Sequence, residues 1–358
     1  MTLIESIYYI GYSIKKHYAL KNQKRLPYKV ISIGNITVGG TGKTPATIAI
    51  AEEAKRRRFI PNILTRGYKG KINRPCFVSR GDGPLLSEEE AGDEPILMAE
   101  RLKGVPIVKC ADRYKGGVFV LQNLEDSGTR RPGESEIALS TDSSVHRFTH
   151  SPIVFILDDG FQHQSLFRNK DILLIDGTNP FSNRKLLPLG SLREPLSAMS
   201  RADIIVITKI DKARNQRSAV NNLIEEIRKY NTKAPIFFSE HIPSEFITPQ
   251  GETLPLEWAK GKRFFGFAGV GNPESFKRTL LSAGVDLKGF KSYRDHYKYS
   301  LRDIQKIIKD SVKGDDNWIV TTEKDIMRLR QLNIPANLVA LLIEFAVDEE
   351  FYNEVFNF

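Results

Sequence analysis

The stretch Val30-Ile-Ser-Ile-Gly-Asn-Ile-Thr-Val-Gly-Gly-Thr-Gly-Lys-Thr44 decides how this chain is read. Val30, Ile31 and Ile33 form an apolar, β-branched run suited to a buried strand, and the sequence from Thr44 onward suits a helix. Between them Gly39, Gly40 and Gly42 free the backbone to turn its N–H groups toward an anion. In such a loop Thr37, Val38, Gly39, Gly40, Thr41, Gly42, Lys43 and Thr44 surround the phosphates of a nucleotide. Lys43 reaches the β- and γ-phosphates, the Thr44 hydroxyl ligates Mg²⁺, and the helix start adds its partial positive charge. Thr37 stands where the G-x-x-x-x-G-K-[ST] pattern places its first glycine. The bland alternative is a glycine-rich turn with an incidental Gly-Lys-Thr. The strand before it and the helix after it weigh against that.

Outward from this loop, short apolar runs alternate with helix-like stretches, which predicts parallel sheets covered by helices on both faces. Strands are expected at 62–65, 76–79, 106–109, 153–157, 172–175, 204–208 and 236–239, with helices at 44–58, 95–102, 114–124 and 218–229. Residues 241–262 contain prolines and glycines and read as a linker. A second α/β pattern follows, with strands at 264–268, 318–321 and 338–343 and helices at 273–283, 301–311, 323–331 and from 349. The predicted fold is therefore a P-loop NTPase-like α/β/α domain over 26–240, a linker, and a smaller α/β domain over 263–358. Residues 125–150 are polar and read as a long loop, in which His146 and His150 are an incidental pair without a helical pattern around them.

The 358 residues are 41% hydrophobic and 27% charged, ordinary for a globular protein of about two domains. Two cysteines, Cys76 and Cys110, are too few for a disulfide framework and too far apart for a zinc knuckle. A formal charge of +10 favours anionic partners. No interleaved aromatic and basic pattern marks a nucleic-acid platform, and no partner of that class is expected. No apolar run reaches the roughly 18 residues of a membrane span. Over residues 1–25, Leu3, Ile4, Ile7, Tyr8 and Ile14 recur at helical spacing and Lys15, Lys16, His17, Lys21, Lys24 and Arg25 follow. That is an amphipathic helix lying either on an anionic bilayer or on its own domain, and both readings stay open.

Several residues have the chemistry for catalysis. Asp158 and Asp159 end an apolar strand, where acids hold Mg²⁺ against phosphates. Asp93 opens a helix, as an N-cap or as a general base. His296 follows Asp295, an arrangement that can orient an imidazole. Arg66 and Arg113 lie in basic stretches able to meet an anionic substrate or simply to be solvated. Thr208-Lys-Ile-Asp211 matches the T/N-K-x-D with which GTPases read guanine, and Thr322-Glu-Lys-Asp325 looks similar.

Together these motifs resemble the tetraacyldisaccharide 4′-kinases, the lipid A 4′-kinases of Gram-negative bacteria. The resemblance rests on SIGNITVGGTGKTP from Ser32, TRGYKG from Thr65, AGDEP from Ala91, LDDGFQH from Leu157, PLGSLREP from Pro188, RDHYKYS from Arg294 and TEKD from Thr322. It covers nearly the whole chain in order, and that family accepts Ser or Thr at the position of Thr37. It implies two α/β/α domains joined by a short two-stranded linker, with the active site in the cleft between them. It also implies ATP- and Mg²⁺-dependent phosphorylation of the 4′-hydroxyl of a tetraacyl disaccharide 1-phosphate. Lys43 and Thr44 then serve phosphate and Mg²⁺, and Asp158 and Asp159 are the metal-site acids. Asp93 matches the general base and His296 its partner, while Arg193 and Glu194 match residues near the substrate. The N-terminal helix matches a membrane-docking segment, which places the protein peripherally on the cytoplasmic face of the inner membrane. Residues 125–150 are longer than the family pattern. From the residues alone, a P-loop GTPase acting as a switch or metallochaperone is the alternative. A ParA-like ATPase would want a lysine at Val38.

Overall fold

In the computed structural model, which describes residues 2–67, 70–72, 74–126, 152–210, 217–313, 318–329, 332 and 334–358, the run quoted above is strand β1, Lys29–Gly34. Every β1 side chain after Lys29 is buried. It lies between two parallel neighbours, β5 (Ile153–Asp158) and β6 (Lys170–Asp176). A strand covered on both faces reads as a continuous apolar run rather than an alternation, which is what Val30, Ile31 and Ile33 announce. Beyond β5 come β2 (Ile60–Thr65), β4 (Ile107–Lys109) and the antiparallel edge strand β3 (Cys76–Ser79). Beyond β6 come β7 (Ile204–Thr208) and β8 (Ile236–Ile247).

Strand β8 is the seam of the molecule. Its first residues pair in parallel with β7, and from Ser239 onward it runs antiparallel to β13 (Leu338–Val347). Past β13 lie β12 (Trp318–Thr322), β10 (Arg263–Ala268) and the edge strand β11 (Asp286–Ser292), all parallel. The short β9 (Thr253–Pro255) pairs with β8. Among the described residues these thirteen strands form one continuous sheet, two parallel blocks joined where β8 meets β13.

Two features differ from the expected elements. The stretch from 241 contains the second half of β8, then β9 and a 3₁₀ turn over Leu256–Ala259. Pro243 is tolerated inside β8 because it pairs with Ile343 at a register shift, where a ladder hydrogen bond is already lost. Strand β11 was not expected at all. The stretch 125–150 lies outside the described residues except for Glu125 and Asp126, which end a helix, and His146 and His150 lie outside them too.

Ten helices are seen among the described residues: α1 (Leu3–Lys21), α2 (Lys43–Arg56), α3 (Glu88–Ala91), α4 (Asp93–Arg101), α5 (Arg113–Asp126), α6 (Arg217–Arg228), α7 (Pro273–Ser282), α8 (Leu301–Lys313), α9 (Glu323–Leu329) and α10 (Glu349–Phe356). Helix α2 buries Ala46, Ile48, Ile50 and Ala51. One hydrophobic cluster runs from these residues and Met98 of α4 to Ile326 of α9, Ala340 of β13 and Phe351 of α10. The blocks thus share a core beneath the facing ends of α4 and α9.

Candidate active site

Between β1 and α2 the chain makes the predicted glycine-rich turn. Gly42 caps α2 with φ +87°, and a Cβ there would stand 2.6 Å from Nε2 of His241 on β8. Only glycine meets both conditions. The first half of the loop is tied down by the Val38 N–H, which donates to the Ser191 carbonyl at 2.7 Å. Thr37, Thr41 and Thr44 are buried, whereas Val38 is exposed. Lys43 Nζ lies 3.4 Å from Asn35 Oδ1 and 3.7 Å from Asp159 Oδ1. Burial lowers the Lys43 pKa, and Asp159 works against that shift. The N-terminus of a 14-residue helix beside a lysine is a ready anion site.

The strand facing this loop, β5, ends in Asp158. Its carboxylate accepts hydrogen bonds from the Thr65 hydroxyl at 3.0 Å and the Thr47 hydroxyl at 3.5 Å. Burial pushes its pKa up to about 6, and the charges of Glu94 and Asp159 add to the shift. Asp159 follows in left-handed backbone, φ +49°. Arg193 grips it with two hydrogen bonds of 2.9 Å each. Burial alone would raise Asp159, but Arg193 and Lys43 override it and hold the carboxylate well below its usual range. Asp158, Asp159 and the Thr44 hydroxyl are hard oxygen donors gathered beside the phosphate loop, a donor set suited to Mg²⁺.

Asp93 is not a helix cap. Gly92 takes the N-cap position of α4 with φ +98°, and Asp93 is the first helical residue. Its Oδ2 accepts from His296 Nδ1 at 3.0 Å and from Arg328 Nε and Nη2 at 2.8 and 2.5 Å. Burial would raise the Asp93 pKa, yet His296 and Arg328 together hold it well below the usual carboxylate range. With Asp93 ionised, His296 meets it through an Nδ1–H, and Arg328 Nη2 lies 3.2 Å from the same nitrogen, so the three side chains form one cluster.

The partner of His296 differs from the sequence expectation. Asp295 accepts the His296 backbone N–H at 3.0 Å, while the imidazole reaches across to Asp93. Left-handed backbone at His296, φ +55°, makes that reach possible. Non-glycine residues in this conformation are strained, and three of the six among the described residues are Asp159, Lys209 and His296.

Two cationic residues of this site carried no separate signal in the sequence reading. Lys324 and Arg328 lie one turn apart on α9 and meet the consecutive acids of α4, Arg328 with Asp93 and Lys324 with Glu94 at 2.7 Å. The clue available was the i, i+4 spacing of two cations against the Asp93-Glu94 pair. Asp325, between them, is fully buried and accepts from Gly269 N at 3.0 Å, the Tyr299 hydroxyl at 3.1 Å, Thr322 at 2.7 Å and Arg328 at 3.0 Å.

The remaining candidates spread over different surroundings. Arg66 is exposed just past β2. Arg113 is buried and donates to the carbonyls of Cys110 and Ala111 at 3.3 and 3.1 Å; burial lowers its pKa, while Asp158 and Asp159 act to raise it. Glu194 is 0% exposed and faces inward, accepting from Tyr12 of α1 at 2.7 Å, Gln162 at 2.8 Å and both Arg201 terminal nitrogens at 2.7 Å. Thr208 and Lys209 end β7 beneath the phosphate loop, and Asp211 lies outside the described residues. Helix α1 turns its apolar side outward: Leu3, Ile7 and Ile14 are 78%, 64% and 66% exposed. Its Tyr8 and Tyr12 hydroxyls hold it to Arg193 and Glu194.

Residues 1–357 match the family model described as tetraacyldisaccharide-1-P 4′-kinase. A tetraacyldisaccharide 4′-kinase of Syntrophus aciditrophicus is 36% identical over 326 residues, covering 88% of this chain and 80% of that protein. One of Desulfotalea psychrophila is 33% identical, covering 87% and 81%. Among solved structures, LpxK from Aquifex aeolicus in complex with ATP superposes with a TM-score of 0.73 at 31% identity, covering 98% of this chain and 95% of that one. The chain belongs to the tetraacyldisaccharide 4′-kinase family.

Proposed function

We propose that this cleft transfers the γ-phosphoryl group of ATP to the 4′-hydroxyl of a tetraacyl disaccharide 1-phosphate, the reaction of its family in lipid A biosynthesis. The observation that carries the reading is the meeting of Asp93 from one block with His296 and Arg328 from the other, while Glu94, the next residue, feels the charge of Lys43. Family membership supports the lipid kinase over a GTPase switch.

Residues 37–44 take the ATP phosphates, with Lys43 and the start of α2 offsetting their charge. Asp158, Asp159 and Thr44 would hold Mg²⁺, and the raised pKa of Asp158 fits that assignment, because crowded buried carboxylates favour a divalent cation. Mg²⁺, when bound, neutralises charge on the phosphates. The sugar oxygen forms its bond to the γ-phosphorus as the bond to the bridging oxygen of ADP breaks. Asp93 is the general base for the hydroxyl proton, oriented by His296. Because Arg328 and His296 keep Asp93 weakly basic, proton transfer is late, when the forming P–O bond has made the hydroxyl acidic. Arg66, exposed beside the site, supplies positive charge for the anionic acceptor, Arg193 holds Asp159, buried Arg113 adds positive charge near Asp158 and Asp159, and Glu194 seats the segment that carries Arg193.

No helix among the described residues is long and apolar enough to cross a membrane. The outward apolar face of α1, with its basic residues, suits a peripheral seat on the anionic cytoplasmic surface of the inner membrane, where the acyl chains of the acceptor reside. The test is incubation of the purified chain with γ-labelled ATP and the disaccharide 1-phosphate in mixed micelles. Label is expected in the lipid as an alkali-stable 4′-phosphate. Label released only as inorganic phosphate contradicts the reading.

A further inference from the structure

The T-K-x-D stretch at the end of β7 points, in sequence, to a guanine reader, yet its first two residues are turned to another task. The Thr208 hydroxyl, fully buried, donates to the Thr41 carbonyl at 3.0 Å. The Lys209 ammonium donates to the Gly40 carbonyl at 2.6 Å and pairs with Asp176, the last residue of β6. Lys209 is 8% exposed and sits in left-handed backbone, φ +59°, which drives its side chain under the loop.

From this geometry we infer that Lys209, seated by Asp176 and assisted by Thr208, is a positioning residue that fixes the peptide planes of the phosphate loop. A peptide's C=O and N–H point in opposite directions. Holding the Thr41 carbonyl down therefore aims the Gly42 N–H away from Thr208, toward the side where an anion enters. The Thr41 N–H, opposite the held Gly40 carbonyl, closes on Gly39 O at 3.2 Å, a contact that a phosphate oxygen can replace without moving the carbonyl. Gly39, Gly40 and Gly42 have no side chains with which to hold this shape, and ordering glycine costs more backbone entropy than ordering any other residue. The order must come from outside the loop. A charged donor is suited to it, since charge-assisted hydrogen bonds are roughly twice as strong as neutral ones, and Asp176 compensates the charge so buried.

This inference rests on the reading that residues 37–44 receive the ATP phosphates, so the experiment separates the two. Isothermal titration of the full-length chain with MgATP and with MgGTP is carried out for the native protein, Lys209→Met, Lys209→Arg, Thr208→Val and Lys43→Ala, alongside kcat and both KM values. Lys209→Met is expected to weaken ATP binding about 10- to 100-fold, the loss of one hydrogen bond to a charged group. KM for the lipid stays within about threefold, Lys209→Arg recovers part of the loss, and Thr208→Val gives a smaller loss of about 3- to 10-fold in the same direction. GTP, where it binds, weakens in parallel with ATP, because both share the triphosphate. Native-like ATP affinity in Lys209→Met overturns the inference, as does a loss confined to GTP, which would restore the guanine-reading role. An equal rise in the lipid KM also overturns it, since that is general loosening. Should Lys209→Met fail to fold, native-like ATP affinity in Thr208→Val overturns it and the expected loss supports it. Unchanged ATP affinity in Lys43→Ala would instead sink the phosphate-loop reading itself.

Discussion

At the scale of single residues, the site is governed by which charges are paired. Asp93 receives three hydrogen bonds on one oxygen, two of them from Arg328, whose third nitrogen donates to Gly269 O and Asp325. Arg328 thus locks in a single geometry the carboxylate and the Gly269 carbonyl, which also accepts the His296 backbone N–H at 3.2 Å. A lysine supplies one point charge and cannot make that fork. Arg328→Lys should lower kcat by about 10²-fold or more while ATP affinity stays within about threefold, as read by single-turnover kinetics beside titration. A second prediction concerns His163, whose pKa is lowered to about 4 by burial and then by the charge of Arg113. Unfolded, a histidine takes up its proton near pH 6.5, so between that pH and about 4 the unfolded chain binds more protons. The contribution of His163 to stability is therefore complete above about pH 6.5 and declines as pH falls, by about 1.4 kcal/mol per unit. Between roughly pH 7 and pH 5 the native protein should lose about 2 kcal/mol more than His163→Asn in urea unfolding. Equal losses would remove this role. Lys43, Asp158 and Asp159 stood out as candidates because each sits in a local pattern, whereas the pairing of Asp93 with His296 came only from the family resemblance. Arg328 went unread, since its partner lies 235 positions away and its local mark, the i, i+4 spacing from Lys324, is one that solvated helix cations share.

At the scale of elements, periodicity reads well wherever burial is simple. β1, β5, β6 and β7 are buried on both faces and stand out as apolar runs. β11 is an edge strand carrying Lys288, Gly289 and Lys291, residues that guard an edge against pairing and erase the alternation that would betray it. The second half of β8 was not readable from the residues, because Pro243 and its polar neighbours imitate a linker, and only the two-stranded linker implied by the resemblance anticipated strands there. Helix α1 left two readings open, and its two sides differ in the structure. Tyr8, Tyr12 and Glu5 hold it to the body, while Leu3, Ile7 and Ile14 face out. Removing the whole helix would strip Glu194 of a partner, so point changes test docking more cleanly. Ile7→Asp with Ile14→Asp should reduce flotation with anionic liposomes at least about tenfold and shift folding stability by less than about 0.5 kcal/mol. Unchanged flotation would assign docking to another surface.

At the scale of the whole molecule, two parallel blocks meet at one antiparallel seam, and the Asp93–His296–Arg328 cluster lies where α4 packs against α9. Among the described residues three ion pairs join α4 to α9: Asp93–Arg328 at 2.5 Å, Glu94–Lys324 at 2.7 Å and Arg101–Glu323 at 3.2 Å. Two α/β patterns are legible in the sequence as separate periodic tracts. Their joining into one sheet is not, because it depends on β8 leaving β7 for β13, a long-range pairing without a local signature. The central claim is that Asp93 and His296, one from each block, act on the acceptor hydroxyl as a single unit. A double-mutant cycle tests it most directly, with kcat measured for Asp93→Ala, His296→Ala and the double variant at saturating ATP and lipid. Each single change should cost about 10²- to 10⁴-fold, and the double variant should be less than about tenfold worse than the poorer single one, with ATP affinity little altered. Losses that multiply would contradict the account, because they would show two residues acting independently.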